Sequence, residues 1–207
     1  MKNQKRRLIV VGNADLPRDL SQEIDSADYV LRFNQPRFLD GWSGTKTSCL
    51  MMCNANDPMQ YRLSDPTFLE CKFFKQAELI IFAYHPYIMK TYFMRPNLAS
   101  RFLQHRRLDW TDQATKVFGE SKDIVIKSVQ FYIDACAEIG IKGKKLKKWF
   151  PSTGYLGIWD CLKRFDLAEW EIYICGFTWR GWEHHAWSAE EKWARQHIAE
   201  GTFHFLE

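Results

Sequence analysis

The chain has 207 residues, of which 46% are hydrophobic and 26% charged, and its formal net charge is +4. These values are typical of one soluble globular domain, here expected to span residues 1–207, and no run approaches the roughly 20 apolar residues of a membrane span. The small positive charge favours an anionic ligand without requiring nucleic acid, which we do not expect as a partner.

Short apolar runs that end at turn residues predict seven strands, at 7–11, 28–33, 48–53, 78–83, 123–126, 171–175 and 202–206. Apolar spacing and start or stop signals predict three helices, at 129–139, 154–165 and 188–199. The last of these opens as S-A-E-E, close to a capping box. Alternating apolar strands and helices predict an α/β fold with a Rossmann-like, mostly parallel sheet flanked by helices.

The segment from Lys90 to Gly119 is basic and aromatic and gives no clear pattern. We interpret it either as a lid or acceptor loop or as plain helices.

The six cysteines are scattered and form no CxxC pair, which disfavours a zinc site and predicts buried free thiols in a reducing compartment. The basic start MKNQKRR is followed only by LIVV, too short for a signal peptide, so we expect a cytoplasmic protein.

Three predicted strands are followed by asparagine at the same point, as Gly12-Asn13, Phe33-Asn34 and Cys53-Asn54. In an open α/β sheet, ligands bind beyond the carboxyl ends of the strands. An asparagine amide could read ribose, phosphate or a base edge there, although asparagine also favours turns for its own sake. The sequence contains neither GxGxxG nor GxxxxGK[ST], which disfavours a dinucleotide fold or a P-loop.

The stretch PSTGYLGIWDCL places Ser152, Thr153 and Gly154 at a predicted helix amino terminus. Free backbone N–H groups and the helix dipole favour an anion there. An equally simple interpretation is that Ser152 is an N-cap and nothing more.

The stretch GWEHHAWSAEEKW places His184 and His185 in a loop between the last long strand and the last helix. No HExxH pattern is present, and adjacent histidines point different ways on most backbones, so we expect no metal site. A histidine on this rim has a pKa suited to proton transfer, and Glu190 could orient its imidazole. The alternative is that both histidines pack among tryptophans.

The run KGKKLKKW contains five lysines whose simplest interpretation is a solvated basic face. The second interpretation is a contact with anionic lipid, as a peripheral membrane contact, or with a polyanionic acceptor. These lysines are Lys142, Lys144, Lys145, Lys147 and Lys148.

Together these motifs resemble the sialyltransferases of glycosyltransferase family 29 and their small bacterial relatives, almost from end to end. VVGNADLPRDLSQEIDSADYVLRFNQPRFLDGWSGTKTS is similar to the large sialylmotif, and PSTGYLGIWDCLKRFDLAEWEIYICGF to the small one. GWEHHAWSAEEKW resembles the terminal motifs, with H-x-x-x-x-E as His185 to Glu190.

The resemblance implies a GT-A-like, inverting glycosyltransferase that takes an acidic sugar from a CMP-sugar donor and needs no metal or other cofactor. It implies that Asn13 and Asn34, and more loosely Asn54, contact the CMP donor. Ser152, Thr153 and Gly154 would hold the sugar carboxylate or the phosphate. His185 would be the general base toward a hydroxyl of a glycan or glycolipid acceptor, and His184 would stabilise the departing phosphate.

The sequence departs from the animal pattern, because it has no membrane anchor or stem and no cysteine before VVGN, where Arg7-Leu8 stand. These departures favour a cytoplasmic microbial enzyme and leave the donor open between CMP-sialic acid and CMP-Kdo. Two alternatives on the same fold are a non-catalytic CMP or sugar-binding module and a CMP-sugar hydrolase. The tryptophans Trp179, Trp182 and Trp187 could stack on acceptor sugar rings or fill the core under the loop.

Overall fold

The computed structural model describes residues 4–38, 41–93 and 108–206. The strands in this part of the chain are β1 (Arg6–Val11), β2 (Tyr29–Phe33), β3 (Cys49–Met52), β4 (Leu79–Phe82), β5 (Asp123–Ile126), β6 (Trp170–Cys175) and β7 (His204–Phe205). They form one sheet in the order β5-β4-β3-β2-β1-β6-β7, and every neighbouring pair is parallel. The predicted α/β class is confirmed, and each predicted strand is present within two residues of its expected bounds.

The central strands are buried on both faces of the sheet, which explains their nearly continuous apolar sequences. Successive residues of β1 pack on opposite sides. Leu8 and Val10 belong to the larger core cluster, whereas Ile9 and Val11 belong to a second cluster with Leu20. The edge strand β5 is mostly exposed.

The helices in the described residues are α1 (Ser21–Asp25), α2 (Asn56–Ser64), α3 (Pro66–Glu70), α4 (Lys72–Gln76), α5 (Pro86–Tyr92), α6 (Thr111–Phe118), α7 (Val129–Glu138), α8 (Thr153–Arg164) and α9 (Trp187–Ala199). A 3₁₀ helix covers Gly143–Lys147. The three predicted helices correspond to α7, α8 and α9. Of the segment from Lys90 to Gly119, α5 and α6 cover the two ends, and residues 94–107 lie outside the described residues.

Helix α8 is held against the sheet by an acidic side chain and a glycine. Asp160 is 1% exposed and forms ion pairs with Lys127, which follows β5, and with Arg164 one turn along the helix at 2.6 Å. Gly157 lies against Phe33 so closely that a Cβ there would stand 2.3 Å from the ring. The close approach fixes the helix over the end of β2.

The six cysteines are free thiols, of which Cys53 and Cys71 are half-buried and the other four buried. Over the described ranges, no helix combines the length and apolar character needed to cross a bilayer.

Candidate functional site

A cleft of about 490 Å³ lies beyond the carboxyl ends of β1, β2 and β6. From β1 the strand order runs to β5 in one direction, whereas β6 and β7 lie on the other side of β1. Open α/β sheets bind ligands at such a reversal of strand order, and the volume suits a small-molecule ligand. The cleft is lined by residues 12–15, 33, 34, 37, 152–154, 176–180, 185 and 187.

Two glycines allow the ends of β1 and β6 to meet at the floor of the cleft. A Cβ on Gly12 would lie 2.1 Å from the carbonyl oxygen of Gly176, and Gly176 itself has a positive φ of 70°. The backbone N–H of Ala14 donates to the same carbonyl at 3.0 Å. Only glycine fits both positions without displacing the backbone.

Asn13 and Asn34 both line the cleft, as the strand-end pattern predicts. Asn13 donates from Nδ2 to the carbonyl of Phe33 at 3.1 Å. Asn34 has a positive φ of 54° and accepts from the backbone N–H of Cys53 at 2.9 Å. Both residues therefore shape turns, and they also leave amide groups at the cleft surface.

Asn54 lies outside the cleft lining. It is fully buried, donates to the carbonyl of Tyr84 at 2.8 Å and to the hydroxyl of Thr111 at 2.6 Å, and accepts from the N–H of Tyr84 at 3.2 Å. These bonds tie the ends of β3 and β4 to the start of α6. The position of Asn54 gives no support to its predicted contact with the donor, because the protein itself satisfies this amide.

The amino terminus of α8 faces the cleft through Ser152, Thr153 and Gly154. Ser152 is the N-cap, and its Oγ accepts from the N–H of Tyr155 at 3.1 Å. The N–H groups of Thr153 and Gly154 belong to the first turn, which has no intrahelical partners. The N-cap interpretation is confirmed, and it leaves the N–H groups of Thr153 and Gly154 open to the anion that the other interpretation predicts.

Two exposed arginines at the cleft were missed by sequence reasoning. Arg37 follows β2, is 57% exposed at its side chain and lies 3.2 Å from Asp15. Arg180 lies in the loop after β6 and also lines the cleft. Both stand a few residues beyond a strand that was correctly predicted, so a search for cations past strand ends would have found them.

His185 is half-buried at the rim of the cleft. Its Nδ1 lies 3.0 Å from the carbonyl oxygen of Phe150. Because a carbonyl only accepts, Nδ1 carries the proton and Nε2 has a free lone pair in the neutral ring. Burial lowers the pKa of His185 below its usual 6.5, partly offset by this hydrogen bond, and nearby His184 lowers it further.

His184 lies outside the cleft lining, and its ring contacts Trp182 edge-on at 4.8 Å. Its Nε2 is 3.7 Å from the carboxylate of Glu183, and its backbone carbonyl accepts from the N–H of Phe150 at 3.0 Å. This position gives no support to the predicted contact of His184 with a departing phosphate.

Glu190 contacts Ser152 rather than orienting the imidazole of His185. Its carboxylate accepts from the N–H of Ser152 at 2.8 Å and from its hydroxyl at 2.6 Å. The expected capping box at S-A-E-E is wrong for a separate reason, because the N-cap of α9 is Ala186 and Ser188 lies inside the helix. Burial raises the pKa of Glu190 to about 7, because the two bonds from Ser152 only partly offset the loss of water.

The raised pKa of Glu190 predicts a pH-dependent stability. An acid whose folded pKa lies above its unfolded value stabilises the fold in its protonated form, and this stabilisation is lost as pH rises from the usual 4.5 through about 7. Relative to Glu190→Gln, the wild type should lose about 3 kcal/mol of unfolding free energy across that window. Urea unfolding of both proteins across this pH range measures the difference, and parallel curves would contradict it.

The five lysines of the run are all exposed, four of them flanking the buried Leu146 on the 3₁₀ helix or just beyond it. Among the described residues none of the five forms an ion pair with a carboxylate.

In the described part of the chain, no cluster of three or more His, Cys, Asp or Glu side chains is arranged to hold a metal ion.

Several solved structures with a similar architecture are sialyltransferases. A mammalian sialyltransferase solved with Gal-beta-1-3GalNAc-ortho-nitrophenol aligns over 98% of this chain and 69% of its own, with a TM-score of 0.58 and 17% identity. The sialyltransferase CST-II in complex with CMP aligns over 97% of this chain and 81% of its own, with a TM-score of 0.59 and 12% identity. The chain has a sialyltransferase-like fold. The predicted Rossmann-like architecture is thereby confirmed, and membership of glycosyltransferase family 29 stays a prediction.

No protein-family model matches the sequence. Among curated proteins, the urease operon 23 kDa accessory protein of Rhizobium meliloti (strain 1021) is 26% identical over 209 residues, 97% of this chain and 93% of that protein.

Proposed function

We propose that the protein is an inverting glycosyltransferase that moves an acidic sugar from a CMP-sugar to a hydroxyl group of a glycan or glycolipid, without a metal or other cofactor. The observation that carries the proposal is the state of His185. Its Nδ1–H donates to the carbonyl of Phe150, and within the described residues no hydrogen bond engages Nε2, at the rim of the cleft. The sialyltransferase-like fold supports the proposal, because proteins of that fold have been solved with CMP and with Gal-beta-1-3GalNAc-ortho-nitrophenol.

The chemistry follows from what faces the cleft. Nε2 of His185 takes the proton of the acceptor hydroxyl. At the same time, the oxygen of that hydroxyl forms the new bond to the anomeric carbon of the donor sugar. The bond from that carbon to the phosphate oxygen breaks on the opposite face, and CMP leaves as an anion. The first turn of α8 and the guanidinium groups of Arg37 and Arg180 supply donors and positive charge for the phosphate and the sugar carboxylate.

The role proposed for Glu190 is to position rather than to react. Its two bonds to Ser152 join α9, which follows the histidine loop, to the N-cap of α8. The base and the anion-binding helix end are thus held in one unit. Asn13 and Asn34 would contact the donor between them, since both line the same cleft.

The test is CMP release from CMP-sialic acid and from CMP-Kdo, with EDTA present and with and without a panel of acceptors. We expect release that depends on acceptor and comes from one donor more than the other, which identifies the sugar. Equal release with and without acceptor would indicate a CMP-sugar hydrolase instead. No release from either donor would contradict the proposal.

The curated relative gives a reason to keep one alternative, a binding module that retains the fold without transfer. That protein is named for an accessory role and matches nearly the whole chain. The alternative predicts CMP binding, measured by calorimetry, with no turnover under any of the conditions above.

The lowered pKa of His185 predicts the pH profile of the reaction. A histidine base works in its neutral form, so kcat/KM should be constant above about pH 6.5 and fall about tenfold per unit below the lowered pKa. The profile of Glu190→Gln should keep this acid limb. If the limb vanished in that variant, Glu190 rather than His185 would be the titrating group.

A further inference from the structure

Glu190 is a buried carboxyl group without a neutralising cation. It is 0% exposed, and both of its oxygens accept from Ser152. Within the described residues no lysine, arginine or histidine forms an ion pair with it. The titratable side chains that interact with it electrostatically are Tyr84 at the end of β4, Cys136 on α7 and Tyr155 on α8. Burial raises the pKa of all three, to about 12 for Cys136, so they are neutral near neutral pH.

The carboxyl group lies at the same end of α8 that faces the cleft. Glu190 accepts from the backbone N–H and the hydroxyl of the N-cap Ser152, which itself lines the cleft. The helix dipole favours negative charge at this end, and an ionised Glu190 already supplies one. A ligand anion in the cleft therefore meets less positive potential when Glu190 is ionised than when it is protonated.

Protonation of Glu190 also reverses one hydrogen bond. Ser152 has a single hydroxyl hydrogen, which an ionised Glu190 accepts on Oε2 at 2.6 Å. Oε1 accepts from the N–H of Ser152 at 2.8 Å, so an added proton preserves every bond only if it is on Oε2. Oε2 then donates to Oγ of Ser152, which still accepts from the N–H of Tyr155 at 3.1 Å. With both acceptor positions of Oγ filled, the hydroxyl hydrogen of Ser152 is released to donate to a ligand in the cleft.

We propose that Glu190 and Ser152 couple the binding of the donor's anionic group to the uptake of a proton. The inference rests on the proposed function, which places that group at the amino terminus of α8. Protonation of Glu190 removes a competing charge and lets Ser152 donate to the anion, and the bound anion in turn stabilises the proton on Glu190. Because burial raises the pKa of Glu190 to about 7, the exchange takes place near neutral pH.

The test uses the methyl ester of CMP, because its single phosphodiester charge is constant near neutral pH, whereas the phosphate of CMP titrates at about pH 6. The full chain is titrated with the ester by calorimetry at about pH 6.5 and about pH 8.5. For a coupling factor of about ten, the wild type should bind about fivefold more weakly at the higher pH. At about pH 7.5, titrations in HEPES and in Tris, which differ in ionisation enthalpy, should show uptake of about half a proton per ligand.

Glu190→Gln is the decisive variant, because its amide reproduces the hydrogen bonds of the protonated acid. The amide oxygen accepts from the N–H of Ser152, and the amide nitrogen donates to the hydroxyl. This variant should bind the ester at about pH 8.5 as tightly as the wild type does at about pH 6.5, with proton uptake close to zero. The matched control is Glu191→Gln. Glu191 is the next residue on α9, but its side chain is 38% exposed and pairs with Arg195, so this variant should keep the wild-type pH dependence.

Ser152→Ala tests the hydroxyl separately. At about pH 6.5, where the hydroxyl is released to the cleft, this variant should bind the ester about fivefold more weakly than the wild type. At about pH 8.5, where Glu190 accepts the hydroxyl hydrogen, the loss should stay within about twofold. Equal losses at both pH values would show that Ser152 only caps α8 and would overturn its role as a switched donor.

The outcomes separate this inference from the proposed function. The same pH dependence in wild type and Glu190→Gln, or no proton uptake by the wild type, would overturn the coupling and leave the transferase standing. Proton-coupled binding of the ester without CMP release from either donor would refute the transferase and leave the coupling standing. No binding of the ester at either pH would overturn both. The acid limb of kcat/KM that His185 produces is measured for the acceptor at saturating donor, where the coupling has no effect.

Discussion

Replacing His185 by alanine is expected to lower acceptor-dependent CMP release by about 10²- to 10⁴-fold, the range typical for loss of a general base. The geometry gives the reason, because the carbonyl of Phe150 holds the proton on Nδ1 and leaves Nε2 available at the cleft. Among the described residues that line the cleft, the other side chain able to accept a proton is Asp15, a carboxylate that lies 3.2 Å from Arg37. The measurement is kcat/KM with the donor identified by the release assay.

The matched control for this prediction is the neighbouring residue. His184→Ala removes the same side chain one position away, outside the cleft lining, and should keep activity within a few-fold of wild type. Calorimetry should give both variants wild-type affinity for CMP. Wild-type turnover in His185→Ala would remove His185 from the mechanism, and equal losses in both variants would indicate damage to the loop.

Replacing Asp160 by alanine is expected to cost about 3–5 kcal/mol of unfolding free energy, the range for breaking a buried ion pair by removing one partner. Asp160 is 1% exposed and is shared by Lys127 and Arg164, whose side chains are 13% and 30% exposed. Alanine would leave two largely desolvated cations without an anion. Guanidinium unfolding followed by tryptophan fluorescence measures the loss.

The control variant is Glu191→Ala on α9. Glu191 forms a pair with Arg195 at the same i,i+4 spacing and at 2.8 Å, but the two side chains are 38% and 65% exposed. Exposed pairs are worth at most about 1 kcal/mol, so Glu191→Ala should be nearly neutral. A loss in Asp160→Ala no larger than that in Glu191→Ala would contradict the role of burial.

The strands were predictable because burial on both faces forces nearly unbroken apolar sequence, as in Leu79–Phe82. The longer helices were predictable from apolar spacing and from caps such as Ser128 and Ser152. The short helices before α6 were not, because five to nine residues hold too few turns for periodicity, and two of them begin at proline, which sequence reasoning takes as a turn.

The positions of the cleft residues were predictable where they directly follow a strand or begin a helix. They were not predictable where they depend on contacts between segments that are distant in the sequence. Asn13, Asn34 and the start of α8 come directly after strands or at a helix start, and the structure brings them to one cleft. That Glu190 would bind Ser152, 38 residues away, rather than orient the imidazole of His185 is not encoded in local spacing. The same holds for the bond between His185 and Phe150.

The pairing of β1 with β6 has a consequence for how the protein is made. The register joins β1, from Arg6 to Val11, with a strand that follows it by 164 residues, from Trp170 to Cys175. Until β6 leaves the ribosome, β1 has an open edge and the cleft lacks one wall. Such late, non-local pairing slows folding and leaves unpaired strand edges exposed to aggregation. The nascent chain therefore completes the cleft only after translation has passed Cys175.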